Sequence, residues 1–244
     1  MPYQISESFL HEMKLLEEFD TPTIVNSIER FNMRSRLEGY SNPEIKEILP
    51  NDRTYIGIAC TAKISSAAPA NFDTDQVTRG YFDSLAESTA PTISVIEDVD
   101  PEIRGSFWGE VNVSAHRALG CLGVVTNGGV RDLKEVSATN FGYFASCVLI
   151  SHGYVHIKES HIPVTVGGLL IKPGDLIAVD QHGVVNIPHE IVLELVAACR
   201  LTASAESPVL EGCRKALLAG KKITVDELIG WREKMYQSRN VDTF

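Results

Sequence analysis

The chain reads as an α/β protein: a sheet with helices on its faces, antiparallel additions, and a helical extension at the carboxyl end. Three observations carry this expectation. Between about Tyr55 and Pro188, strand-like apolar runs alternate with helix-like segments. The stretches on either side repeat apolar residues at helical spacing instead. At 244 residues, with 44% hydrophobic side chains and a mean hydropathy near zero, the chain can bury one sizeable core.

From the amino end, Ser6 to about Pro50 reads as helical. Phe9, Met13, Leu15 and Leu16 form a rough apolar stripe. Thr21-Pro22-Thr23 then stops one helix and caps the next, which runs through Ile24, Val25, Ile28 and Phe31. The middle zone carries strand-like runs at Tyr55–Ile64, Thr92–Ile96, Leu122–Val125, Cys147–Ile150, Val164–Val166 and Leu176–Val179. Between them, Val111 to Leu119 reads as a short helix. Cys121 to Val125 reads as a buried strand feeding a glycine turn at Asn127-Gly128-Gly129. Asp180-Gln181-His182-Gly183 has the length of a hairpin connection.

In the last zone Ile191, Leu195, Val196 and Cys199 recur at helical spacing, and Leu210, Leu217 and Leu218 continue the pattern. Thr224-Val225-Asp226-Glu227 resembles a capping box that opens a last short helix. The expected division is therefore a helical segment over 1–50, an α/β core over 51–188, and a helical extension over 189–244 that packs on a neighbouring subunit.

Composition excludes several function classes. A net charge of −10 without a basic stripe argues against a nucleic-acid partner. Cys60, Cys121, Cys147, Cys199 and Cys213 are odd in number and form no C-x-x-C pair, which fits buried free thiols in a reducing compartment. Met1 to Phe19 has neither a basic n-region nor an apolar h-region, and no apolar run approaches a membrane span of ~20 residues. A cytoplasmic location is expected, so the sequon Asn112-Val113-Ser114 is a chance match. P-loop, G-x-G-x-x-G and G-x-S-x-G motifs are missing, which removes the common nucleotide and serine-hydrolase readings.

The segment richest in chemistry starts at Trp108-Gly109-Glu110 and ends at Gly128-Gly129-Val130-Arg131-Asp132, with twenty residues between Glu110 and Arg131. A helix followed by a strand returning beside it can bring Glu110 back to the Arg131-Asp132 pair. Two carboxylates and a guanidinium at one strand end suit a hard divalent cation beside an anionic substrate. Asp132 has two readings: an N-cap or local ion pair at the start of a helix over 133–139, or a direct metal ligand. Arg131 is an exposed turn residue or the clamp for a substrate carboxylate. Glu110 favours the dipole of the helix it opens, and the first-turn N–H groups of Val111 and Asn112 form a ready anion site. His152 and His156 stand four apart, but the intervening Gly153-Tyr154-Val155 looks extended, so structural or surface roles outweigh zinc ligation.

On these residues the chain resembles the family uniting the regulator of ribonuclease activity A with 4-hydroxy-4-methyl-2-oxoglutarate aldolase. The matching pieces are Trp108-Gly109-Glu110, Gly123-Val124-Val125 through Arg131-Asp132, Pro163-Val164, and Lys172-Pro173-Gly174-Asp175-Leu176 through Asp180-Gln181-His182-Gly183 to Pro188. They follow the family's order and spacing over about Tyr55 to Pro188, and the helical ends match loosely.

The resemblance implies a layered, β-sandwich-like α/β core assembled as a homotrimer or hexamer with active sites between subunits. It also implies a class II aldolase that cleaves a 4-hydroxy-2-oxo acid to release pyruvate, with oxaloacetate decarboxylation as a side activity. Asp132 would bind Mg2+ or Mn2+ directly, and Glu110 would hold metal-bound water. Arg131 would grip the pyruvyl carboxylate, helped by the amides of Val111 and Asn112. A glutamate on the neighbour's C-terminal helix would complete the shell; spacing from Pro188 gives Glu206, with Glu211 as the rival. Many relatives have Asp where Asn127 stands, which lowers the local charge here. The alternative is a non-catalytic regulator that binds a ribonuclease. Those relatives are shorter, whereas this chain keeps Glu110, Arg131 and Asp132 and adds about 55 residues after Pro188.

Overall fold

Capping side chains set the first helices. Ser6 accepts from the Phe9 amide to open α1 (Glu7–Leu16), and Asp20 accepts from the Thr23 amide to open α2 (Thr21–Ile28), with proline in its first turn. The computed structural model describes residues 5–240. The expected helix to Pro50 stops much earlier. A 3-10 turn ends at Phe31, Asn32 takes a left-handed conformation, and the chain runs on irregularly to the two-residue β1 (Lys46–Glu47). Asn32 and Gly39 at positive φ, with Pro43 and Pro50 beyond, are the local reasons.

The parallel centre of the sheet is β2 (Tyr55–Ser65), β3 (Thr92–Asp98), β4 (Cys121–Val130) and β5 (Gly142–Val148). Its crossovers carry α3 (Asp75–Ala86), α4 (Glu110–Ala118) and the short α5 (Leu133–Ser137). Antiparallel additions follow: β6 (His156–Ser160) on β2, the separate hairpin of β7 (Val164–Val166) and β8 (Leu169–Ile171), then β9 (Leu176–Asp180) and β10 (Gly183–Ile187). The order is β1-β5-β4-β3-β2-β9-β10, with β6 branching from β2. The α/β expectation therefore holds, and so does the hairpin, whose loop is Gln181-His182.

Two strand expectations need correction. Gly128-Gly129 is not a turn: β4 runs through it to Val130, with a register irregularity between Thr126 and Gly129. The second correction concerns Cys147–Ile150. That strand begins at Gly142 because Tyr143, Phe144 and Ala145 are the buried residues, and Ile150 is exposed beyond its end. The helix α3, which buries Tyr81 and Leu85, was not anticipated.

Three apolar clusters define the layers. One face of the sheet packs under α3 and α4 through Tyr81, Leu85, Trp108, Val113 and Tyr143. The other is covered by Val164, Val166, Leu169 and Ile171 of the β7–β8 hairpin, giving a sandwich-like section. The third joins Met13, Leu16, Ile24 and Ile28 to Leu195, Val196 and Cys199 of α6 (Val192–Leu218), against β9 and β10. The amino-terminal segment and the first half of α6 thus share one core. Beyond Ala205, α6 packs with α7 (Val225–Asn240), where Gly212 leaves room for the Trp231 ring. No helix among the described residues is long and apolar enough to cross a membrane.

Candidate active site

The Arg131-Asp132 pair and the start of α4 meet because Trp108 lies alongside the end of β4. Trp108 bridges Val130 in parallel register, and its carbonyl accepts the Arg131 amide at 3.0 Å. Ser106 reinforces the seam, its Oγ reaching both Trp108 O (2.7 Å) and Gly129 O (2.8 Å). Gly109 follows directly, and α4 begins at Glu110. Glu110 therefore returns to the Arg131-Asp132 pair as its spacing predicts.

Asp132 takes a left-handed conformation (φ 56°, ψ 43°), unusual for a residue with a side chain. It occupies the N-cap position of α5 without capping it. Its carboxylate turns toward α4, where Oδ2 accepts the Glu110 amide at 2.9 Å. One carboxylate thus serves the N-terminus of a different helix, where charge and dipole agree. Arg131 Nε lies 3.8 Å from the same oxygen, and Gly109 sits beneath both. A Cβ at Gly109 would come within 2.4 Å of Asp132 Oδ2 and 3.0 Å of Arg131 Nε.

Several groups here keep unused capacity. The side chains of Arg131 and Asp132 are 33% and 35% exposed. Arg131 Nε is buried without a hydrogen-bond partner among the described residues. Gly109 supplies no side-chain cap, so among the described residues the first-turn amides of Val111 and Asn112 have no capping side chain. The Glu110 side chain is exposed. The one-third-exposed guanidinium of Arg131 beside open helix amides can receive an anion, and the one-third-exposed carboxylate of Asp132 can receive a cation.

Other expected residues lie elsewhere. Glu206 projects from α6 and pairs with Arg239 of α7 in its own chain. Glu211 is held by Ser207 at 2.8 Å and by Lys215 at 3.5 Å, which lowers its pKa. The packing of α6 is against α1, α2 and α7. Asn127 is engaged in the sheet: Oδ1 accepts the Asp98 amide at 2.7 Å and Nδ2 donates to Asp98 O at 2.9 Å. An aspartate could accept there but not donate, so the amide suits this backbone. His152 and His156 point Nδ1 at the neighbouring carbonyls of Gly153 and Tyr154, off any helix. No group of three or more His, Cys, Asp or Glu side chains that could hold a metal ion occurs among the described residues.

Two buried groups near this seam escaped the sequence reading. Asp98 ends β3, is 3% exposed, and has Oδ2 unpartnered; burial pushes its pKa up to about 6. His116 on α4 is fully buried, and burial pulls its pKa down to about 4. Neither carries a spacing signal, because each depends on which elements stack above it.

A sequence family described as RraA-like, Aldolase/RraA, matches residues 21–186, most of the chain. Among curated proteins, one from Halalkalibacterium halodurans is 27% identical over 174 residues, 70% of this chain and 78% of that protein. It is provisionally named a 4-hydroxy-4-methyl-2-oxoglutarate aldolase. Protein DlpA of Legionella pneumophila is 29% identical over 132 residues; the match takes in 50% of this chain but only 22% of DlpA. Among solved structures, Streptomyces coelicolor RraAS2, described as an unusual member of the RNase ES inhibitor RraA family, superposes with a TM-score of 0.65. That match covers 87% of this chain and 99% of RraAS2 at 18% identity, a likeness of fold.

Proposed function

Because this chain belongs to the RraA-like, Aldolase/RraA family, we propose that it is a divalent-metal-dependent lyase that cleaves a 4-hydroxy-2-oxo acid and releases pyruvate. Oxaloacetate decarboxylation is the companion reaction, since both leave electrons on the same pyruvate enolate. The observation that carries the reading is the junction itself: Arg131, Asp132 and the open first turn of α4 converge, with Asp132 Oδ2 tied to the Glu110 amide.

The donor set fits a hard cation. Asp132 has a second carboxylate oxygen beyond the one bound to Glu110, and Mg2+ ordinarily takes one or two carboxylates and fills its shell with water and substrate oxygens. Asp132 would hold Mg2+ or Mn2+, and that ion when bound supplies Lewis-acid polarisation of the 2-oxo group. The remaining work falls to this chain. Arg131, one-third exposed, neutralises and orients the substrate carboxylate. The amides of Val111 and Asn112 bind the same anion at the positive end of α4. Glu110, exposed at the rim, holds a water that takes the substrate hydroxyl proton and later returns one to carbon.

Among the described residues no third acidic side chain joins Glu110 and Asp132 to form a metal-holding group. A trimer or hexamer in which a neighbour's Glu206 completes the shell is part of this reading. Leu201, Leu210, Leu217 and Leu218 are exposed along α6 in the isolated chain, which supports its burial against another subunit. The test is pyruvate release from oxaloacetate and from 4-hydroxy-4-methyl-2-oxoglutarate, with EDTA and then with added Mg2+ or Mn2+. Metal-dependent release above the no-enzyme rate supports the lyase. No release from folded, metal-loaded protein overturns it and leaves a regulatory role through a protein partner such as a ribonuclease.

A further inference from the structure

A buried polar chain underlies the turn that carries Glu110, Val111 and Asn112, and the proposed chemistry makes no use of it. His116 Nδ1 lies 2.6 Å from Asn112 O. A carbonyl only accepts, so Nδ1 carries the proton and Nε2 is a lone pair. Tyr81 Oη, 2.8 Å from Nε2, must then donate to it. The remaining contact of Tyr81 Oη, with Ser94 Oγ, takes its proton from the serine. Proton direction is therefore fixed along Ser94, Tyr81, His116 and Asn112. The chain links β3 and α3 to the first turn of α4.

The same imidazole also supports the other side of the site. Its ring lies 4.4 Å from the Trp108 ring and 5.3 Å from that of Phe82. Trp108 O holds the Arg131 amide, and Asn112 Nδ2 closes back onto Phe107 O. An apolar side chain could fill this space without burying three polar groups. What the polar chain adds is direction: it fixes where the first turn of α4 stands relative to Trp108. We propose that His116, held by Tyr81 and Ser94, is a positioning residue that sets the first turn of α4 so that its amides meet the carboxylate gripped by Arg131. The ligand named here rests on the lyase reading; the ordering of the turn does not. Burial keeps the ring neutral well below pH 6, so the direction of the chain is constant across the ordinary working range.

Tyr81→Phe removes one oxygen and leaves the ring packing. The full-length protein would be compared with this variant by amide hydrogen exchange, by calorimetric titration with pyruvate in the presence of Mg2+, and by oxaloacetate turnover. The Glu110 and Val113 amides, bonded to Asp132 Oδ2 and Gly109 O, close the turn. Their exchange should rise about tenfold, the equivalent of ~1.4 kcal/mol, while exchange in β4 and β5 stays as in wild type. Pyruvate binding and KM should weaken by a similar factor with kcat held. Where Tyr81→Phe raises exchange throughout the chain, Ser94→Ala, which frees only the far end, is read the same way. Unchanged exchange at Glu110 and Val113 in a folded variant overturns the proposal whatever the activity does. A loosened turn in a protein whose wild type neither binds pyruvate nor releases it upholds the positioning role and refutes the lyase reading instead.

Discussion

Gly109→Ala tests whether the Asp132 carboxylate is locked against the start of α4. Gly109 has φ −156° and ψ −174°, an extended backbone that alanine adopts freely, so any effect comes from the added methyl. That methyl would lie 2.4 Å from Asp132 Oδ2 and 3.2 Å from Cγ. Ordinary contact requires the carboxylate to retreat by about 1 Å, and the Glu110 N–H···Oδ2 bond at 2.9 Å cannot survive that shift. A charge-assisted bond contributes ~1.5–3 kcal/mol when sheltered, and at a carboxylate one-third exposed about 1 kcal/mol remains. The expected fall in Tm is roughly 2–4 °C for a chain of this size. Activity should suffer far more, since a ~1 Å misplacement of a reacting group costs about 10²-fold. Differential scanning fluorimetry and metal-dependent pyruvate release measure the two effects. Wild-type turnover in Gly109→Ala would refute the geometry from which Asp132 is assigned its role.

Four other substitutions probe separate points. Asp132→Ala should abolish metal-dependent release while leaving the far-ultraviolet circular dichroism unchanged; activity retained in the metal-loaded variant would sink the ligand assignment. Arg131→Ala should raise KM for 2-oxo acids at least tenfold, as expected when a charged hydrogen bond is lost, and an unaltered KM contradicts the clamp. Glu206→Ala and Asp132→Ala are each expected to be inactive alone and partly active as mixed oligomers; mixtures that recover nothing place the site within one chain. Asp98 has a folded pKa of about 6 against an ordinary 3.8, so its ionisation opposes folding. Its contribution is intact below pH 3.8 and is lost as pH rises through 6. Asp98→Asn should raise Tm at pH 8, with an upper bound of about 3 kcal/mol, and leave it unchanged at pH 3.5; equal melting at both pH values refutes the buried charge.

Much of the fold was legible because strands and helices write their periods into adjacent residues. The runs Tyr55–Ile64, Thr92–Ile96 and Leu176–Val179 are apolar on both faces and lie in the sheet as expected. The helix α1 begins at Ser6 as expected, whereas α2 is capped by Asp20, and the Thr21-Pro22-Thr23 expected to cap it forms its first turn. Glycine misled the reading at Gly128-Gly129. Local permissiveness suggests a turn, but Ser146 Oγ bonds the carbonyls of Asn127 and Gly128 and keeps that stretch in the sheet. The helix α3 was missed because only Tyr81 and Leu85 are buried along its twelve residues, too sparse a stripe to stand out.

By itself, the sequence determined the α/β class, the hairpin at Gln181-His182, and the pairing of Glu110 with Arg131-Asp132. Each follows from spacing along the chain, which residue types and periodicity record directly. Only the tertiary structure decided that Asp132 caps α4 and not α5, that Asn127 serves the backbone of Asp98, and that the Asn112 carbonyl fixes the tautomer of His116 to which Tyr81 then donates. Those relations join residues brought together by the stacking of helices on a sheet. A hydrogen bond depends on the direction of an atom to within tens of degrees, which no linear pattern encodes.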